Sequence, residues 1–180
     1  YNSEGNIVWD FTLGAEHIDD GYCVIQTSDG GALVGGGSQP EGEGNIDCVP
    51  FDYHAEAIIA KLSPEGVMEW QQCYGGSNHD TFMGLLELED GYLLSSSGGS
   101  TDGDCEGCGF HSPGTEERDI WLIRTDLQGN ILWHKCYGGY QMESANNIFQ
   151  TADNGFMVFG ETRSTTHFGP NGDITDNPAF

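Results

Sequence analysis

Apolar residues in this chain fall in short runs of about five to eight, cut by turns rich in Gly, Asp and Asn. No run keeps a 3.6-residue apolar period over three turns, so the pattern predicts strands and excludes helices. The first runs lie at residues 6–13, 22–27, 32–36 and 56–62. The next lie at 68–74, 82–88, 92–96 and 119–125, and the last at 131–137, 145–151 and 156–159. Between them sit hairpin signals, Asp29-Gly30, Asp90-Gly91 and Asp153-Asn154-Gly155. Asp-Gly between two apolar runs is a strong hairpin signal.

The order of runs repeats. Trp70-Gln71-Gln72-Cys73-Tyr74-Gly75-Gly76 returns as Trp133-His134-Lys135-Cys136-Tyr137-Gly138-Gly139, a shift of 133 − 70 = 63. A worn copy begins at Trp9, 70 − 9 = 61 residues earlier. A repeat of this length decides the fold before any local feature does. Four short strands per unit, joined by tight turns and one long loop, is the pattern of a β-propeller blade. The expectation is therefore an all-β fold, a β-propeller of about three four-stranded blades, the last incomplete, forming part of a larger ring. The units are placed at 1–69, 70–132 and 133–180. Each Trp run is read as the inner strand of a new blade, and the third unit as lacking its fourth strand. An open β-solenoid or a sandwich is the alternative.

Composition narrows the partners. Lys plus Arg number 5 against 29 Asp plus Glu, a formal charge of −24. Such a chain repels phosphate backbones and anionic lipid, so nucleic acid and membrane surfaces are not expected as partners. No run approaches the length of a membrane span. Six Cys in so acidic a chain lean toward an oxidising, extracytoplasmic setting. Residue 1 is Tyr and falls inside a unit, so the chain reads as a cleaved or trimmed piece of something longer.

Candidate chemistry lies in the long loops. They carry Glu41 and Glu43, then Asp102, Asp104 and Glu106, then Asn171, Asp173 and Asp176. Oxygen ligands spaced around a Gly suit Ca²⁺, which takes six to eight of them; the same residues also make turns. Cys48, Cys105 and Cys108 are disulfide candidates that would staple the loops to themselves or to each other. With His111 they also have the ligand types of a zinc site, which is not expected. Cys73 and Cys136, in matching positions, read as small buried hydrophobes. The in-phase acids Asp19, Asp80 and Glu143 are expected to accept backbone N–H groups at the corner after each Gly pair. Trp9, Trp70 and Trp133 recur in phase and read as packing between blades, as does Trp121. Aromatics that break the phase, Phe51, Tyr53, Phe110 and Phe168, are candidate ligand contacts. No hydrolase, metalloprotease or phosphate-loop motif is present, and no enzymatic activity is expected of this chain.

These motifs together resemble secreted, repeat-rich β-propeller proteins of Bacteroidetes-type bacteria. The matching stretches are Trp70 to Ser77 with Asp80, Gln26 to Gly31, Gln150 to Gly155, Gly103-Asp104, Gly172-Asp173, Asp119 to Asp126 and Gly129-Asn130. The acidic loop at 41–43 and the extra Cys residues depart from that pattern. The resemblance implies a propeller fold and export. The functional expectation is a secreted or cell-surface binding and scaffold module that recognises a protein or glycan at its loop rim. Its other partners would be the remaining blades or a partner chain. The alternatives are the non-catalytic propeller part of a secreted hydrolase, or a structural subunit of a surface assembly.

Overall fold

The computed structural model describes residues 1–40, 42–48, 54–108, 118–139 and 141–163. Among them are ten β-strands and one turn of 3-10 helix, with no α-helix. Strands β1 (Asp19–Gln26), β2 (Ala32–Ser38), β3 (Glu56–Leu62) and β4 (Met68–Tyr74) form one antiparallel sheet in that order. Strands β5 (Asp80–Leu88), β6 (Gly91–Gly98), β7 (Asp119–Thr125) and β8 (Ile131–Tyr137) form a second. Strands β9 (Glu143–Gln150) and β10 (Phe156–Thr162) make a third sheet of two strands. The fold is all-β.

Two expectations change. The Trp-containing strands β4 and β8 pair with β3 and β7, so each is the last strand of its sheet rather than the first of the next. The sheets divide the chain after the Trp strand, whereas the expected units divide it before. Residues 6–13, the worn copy of that strand, form no ladder. Among the described residues no strand precedes them to pair with. Side chains anchor the segment instead. Trp9 Nε1 donates to the Pro64 carbonyl at 3.1 Å, and Asn45 Nδ2 donates to the Thr12 carbonyl at 2.6 Å.

The repeat holds in fine detail. The first hairpin of each sheet carries a bulge at the same place, between Gly21 and Cys23, between Phe82 and Gly84, and opposite Phe159 and Gly160. A bulge adds one residue and sharpens the local twist. The hairpin turns also agree: Gly30 has φ of +88° and its counterpart Asn154 has +64°. That left-handed region is open to Gly and tolerated by Asn.

The three sheets stack face to face. Leu33 of the first sheet packs with Leu85, Leu94 and Ile123 of the second. Leu93 and Leu122, on the opposite face of the second sheet, pack with Ile148 of the third. Leu85 fits because position 35 is Gly: a β-carbon there would stand 3.2 Å from a Leu85 methyl. Positions in step then differ sharply in burial. Leu85 is 4% exposed and Ile148 3%, while Val24, their counterpart in the first sheet, is 67% exposed. Val24 lies on the outer face of the stack, which no other sheet covers among the described residues.

Leu85→Ala is therefore expected to cost about 2–5 kcal/mol, the range for emptying a packed core position. Val24→Ala should stay within about 0.5 kcal/mol. Urea unfolding of the two variants checks this; equal losses would refute the stacking described here.

Candidate functional site: the loop end of the sheets

The strands place two kinds of connection at opposite ends. Tight turns at 27–30, 63–66, 126–129 and 151–154 occupy one end, each closed by a backbone hydrogen bond. The loops between β2 and β3 and between β6 and β7 lie at the other end, beside the corners that lead into β1, β5 and β9. Loops on a rigid scaffold are where recognition residues concentrate.

Each corner is held by its in-phase acid, as the sequence pattern predicts. Asp19 Oδ2 accepts Ala15 N–H at 2.8 Å, Asp80 Oδ2 accepts Gly76 N–H at 3.2 Å, and Glu143 Oε2 accepts Gly139 N–H at 2.8 Å. Each acid also takes a hydroxyl from the end of its partner strand or just beyond it. Ser38 serves Asp19, Ser100 donates to Asp80 at 2.6 Å, and Thr162 donates to Glu143 at 2.6 Å. Asp80 is fully buried, and burial pushes its carboxyl up to about 6 against the opposing effect of its hydrogen bonds from Ser100, Gly76 and Gly99.

A second clamp joins loop to corner. Asn45 N–H donates to the Gly14 carbonyl at 3.1 Å while Gly14 N–H donates to Asn45 Oδ1 at 2.9 Å. Sixty-one residues on (75 − 14), Asp104 N–H donates to the Gly75 carbonyl at 2.9 Å and Gly75 N–H to Asp104 Oδ2 at 3.3 Å. Asp102 Oδ1 accepts Ser77 N–H at 2.8 Å, which holds its carboxyl below the usual range. Asp102 and Asp104, read from sequence as calcium ligands, thus spend oxygens on backbone donors. Glu106 is exposed. Among the described residues, the carboxylates of Asp102, Asp104 and Glu106 do not gather within metal-ligand distance of one another. The other three candidate ligands, Asn171, Asp173 and Asp176, lie outside the described residues. So do Glu41, His111 and the four candidate contact aromatics, Phe51, Tyr53, Phe110 and Phe168.

The cysteines pair differently from the expectation. Cys48 bonds to Cys73 and Cys108 to Cys136, with Cα–Cα distances of 5.9 and 5.5 Å. Each bridge runs from a long loop to the fourth strand of its own sheet, so Cys73 and Cys136 are not inert hydrophobes. The overlooked signal was the pair itself, since both members recur in step: 108 − 48 = 60 and 136 − 73 = 63. Cys105 carries a free thiol, 1% exposed, whose sulfur donates toward Asp80 Oδ1 at 3.8 Å. Burial and the nearby acids push its pKa up, and burial alone pushes free Cys23 up to about 12. Neither is a reactive thiolate.

Cys48 and Cys108 are bridged to different partners, so neither offers a thiolate to Cys105. Cys108, His134 and Cys136 do converge, their donor atoms within 4.8 Å of one another. The two sulfurs are bonded to each other and offer no thiolate, and His134 Nδ1 accepts Trp121 Nε1–H at 3.1 Å. His54 and His79 meet edge to face, Nδ1 to Nε2 at 3.3 Å.

The tryptophans sort by what lies beyond them. Trp121 is buried in the core at 1% exposure. Trp70 packs on Tyr92 of the next sheet, ring centroids 6.1 Å apart. Trp9 and Trp133 are 38% and 40% exposed. A cleft of about 530 Å³ opens between the segment bearing Trp9, Phe11 and Leu13 and the outer face bearing Val24 and Val34.

No protein-family model matches this chain, and no curated protein matches it. Two disulfide-bonded pairs are consistent with an oxidising, extracellular setting. Among the described residues no helix is long and apolar enough to cross a membrane.

Replacing Cys48 and Cys73 together by Ser should lower stability by about 2–4 kcal/mol; unfolding of the oxidised wild type beside the variant measures it. The raised native pKa of Asp80 predicts a slope. The native state holds its proton more tightly than the unfolded chain, so this group's contribution to stability falls as pH rises from about 4 to about 6. Asp80→Asn should remove that slope in denaturant titrations at pH 4 and 7, and an unchanged slope would exclude Asp80 as its source.

Proposed function

We propose that this chain is part of a β-propeller that serves as an exported, cell-surface binding and scaffold module, with recognition at the loop end. One observation carries the reading. The long loops between β2 and β3 and between β6 and β7 emerge at the same end, and the described part of each is fastened to its own sheet by a disulfide and a corner clamp. Loops held this way lose little further conformational entropy on meeting a partner. The in-phase stacking of sheets supports the propeller part of the proposal, because each sheet meets the next through the same positions.

The partner class is a protein or a glycan. The formal charge of −24 favours a basic protein surface over an acidic one. An array carrying glycans and basic proteins is the direct test. Binding is expected, and should be lost when residues 99–118 are replaced by a short Gly-Ser linker while the circular dichroism of the sheets is retained. Binding that survives the replacement would move recognition elsewhere.

Calcium, on this reading, belongs to Asn171, Asp173 and Asp176 rather than to Asp102 and Asp104. Excess chelator is then expected to lower the Tm, and the triple replacement of those three by Ala should abolish the effect. An unchanged Tm counts against calcium.

A further inference from the structure

In both complete sheets the third strand is deeply held. Every residue of β3 is buried, and all but one of β7. Each begins with a buried acid, Glu56 or Asp119, continues through apolar residues, and carries a cation at its sixth position, Lys61 or Arg124. That cation reaches the acid of the first hairpin turn. Lys61 Nζ meets Asp29 Oδ2 at 2.8 Å, and Arg124 pairs with Asp90. The Lys61 side chain is only 5% exposed, while its partner Asp29 is half exposed.

The third sheet repeats everything around this strand. Its turn acid is prepared in the same way: Thr151 Oγ1 and Gly155 N–H donate to Asp153 Oδ1, as Thr27 Oγ1 and Gly31 N–H donate to Asp29 Oδ1. No Lys or Arg among the described residues pairs with Asp153. The stretch 164–180 contains neither residue type. Among the described residues, strand β10, in the place of β2 and β6, pairs with β9 alone, and it is exposed along nearly its whole length. β6 is buried throughout, and β2 is buried or half-buried. Phe159 and Met157 are 65% and 52% exposed. An unpaired strand edge with an apolar face is a template for another strand.

We propose that the β10 edge is a docking site for an extended strand of defined chemistry: an acid first, four residues of apolar character, then Lys or Arg at the sixth position. The strand lies antiparallel to β10. Its first residue stands opposite Thr162, as Glu56 opposes Ser38 and Asp119 opposes Gly98. Its cation stands opposite Met157, as Lys61 opposes Leu33 and Arg124 opposes Leu93. The cation then closes on Asp153. Backbone hydrogen bonds supply affinity, and the charge pair sets the register, the division of labour known for strand addition to a sheet edge. The proposal rests on the propeller reading for a third sheet to complete, and not on recognition by the loops.

The probe is a labelled synthetic peptide carrying this chain's own residues 119–130, Asp119 to Asn130, added to the whole 180-residue chain. Saturable one-to-one binding by fluorescence anisotropy is expected, with slowed amide exchange in residues 156–162. A peptide with Glu in place of its arginine should bind about tenfold more weakly, since its carboxylate then meets the like charge of Asp153. Asp153→Asn in the chain should weaken binding to a similar degree, while Glu65→Gln, at an exposed turn elsewhere, should not. Absence of binding, protection confined to another strand, or indifference to both charge changes would overturn the proposal. Loop recognition is read by the array and is untouched by either result.

Discussion

Burial of the third strand on both faces and along both edges is the constraint on which the rest of the structure depends. β3 and β7 each have a strand on either side. β7 also has a sheet against either face. A strand so placed reads as a continuous apolar run rather than as alternation, and Ala57-Ile58-Ile59-Ala60 and Ile120-Trp121-Leu122-Ile123 are such runs. Its buried cation must be paired. Burial alone lowers the Lys61 ammonium, but hydrogen bonds to Asp29 and Glu69 outweigh it and leave its pKa raised, while the same contact with Lys61 lowers Asp29. The hairpin turn at one end of the sheet is thereby locked to the strand at its centre.

Close backbone approach carries the constraint to the neighbouring sheet. Gly66 and Gly129 sit at the turns after the third strands with φ of +79° and +84°. A β-carbon at Gly66 would stand 2.5 Å from Trp9, and one at Gly129 would stand 3.2 Å from Trp70. Tyr74 extends the contact by donating its hydroxyl to the Gly129 carbonyl at 2.6 Å. Tyr137, in step with Tyr74, is 38% exposed. Its exposure, like that of Trp133, follows from the third sheet having only two described strands. The same absence explains why the apolar residues of β10 face water.

At the opposite end, the corner acids and the cysteines of the described residues are engaged in holding the structure. The corner acids are consumed by backbone donors and hydroxyls, the free thiols are buried and held protonated, and the paired sulfurs are bonded to each other. What remains is a fastened, acidic rim. Fastening by Cys48–Cys73 and Cys108–Cys136 replaces the hydrophobic core that a long loop cannot build for itself.

Much of this was legible in the residues alone. Short apolar runs, Asp-Gly turns and the 63-residue shift determined the strands to within about three residues at their ends, all but the run at 6–13, and with them the all-β class, because period and turn chemistry are local properties. The corner acids were readable for the same reason. Which strands share a sheet was not: whether the Trp run pairs with the strand before it or the strand after it depends on hydrogen bonds between segments, which no local pattern encodes. The partners of Cys48 and Cys108 were decided by where the loops return to the fourth strand. Asp102 and Asp104 look like cation ligands by spacing, and only the folded corner shows that backbone N–H groups already hold them. The sequence by itself determined what each segment is; the tertiary structure decided what each segment touches, because contacts across sheets depend on register and stacking rather than on the order of residues along the chain.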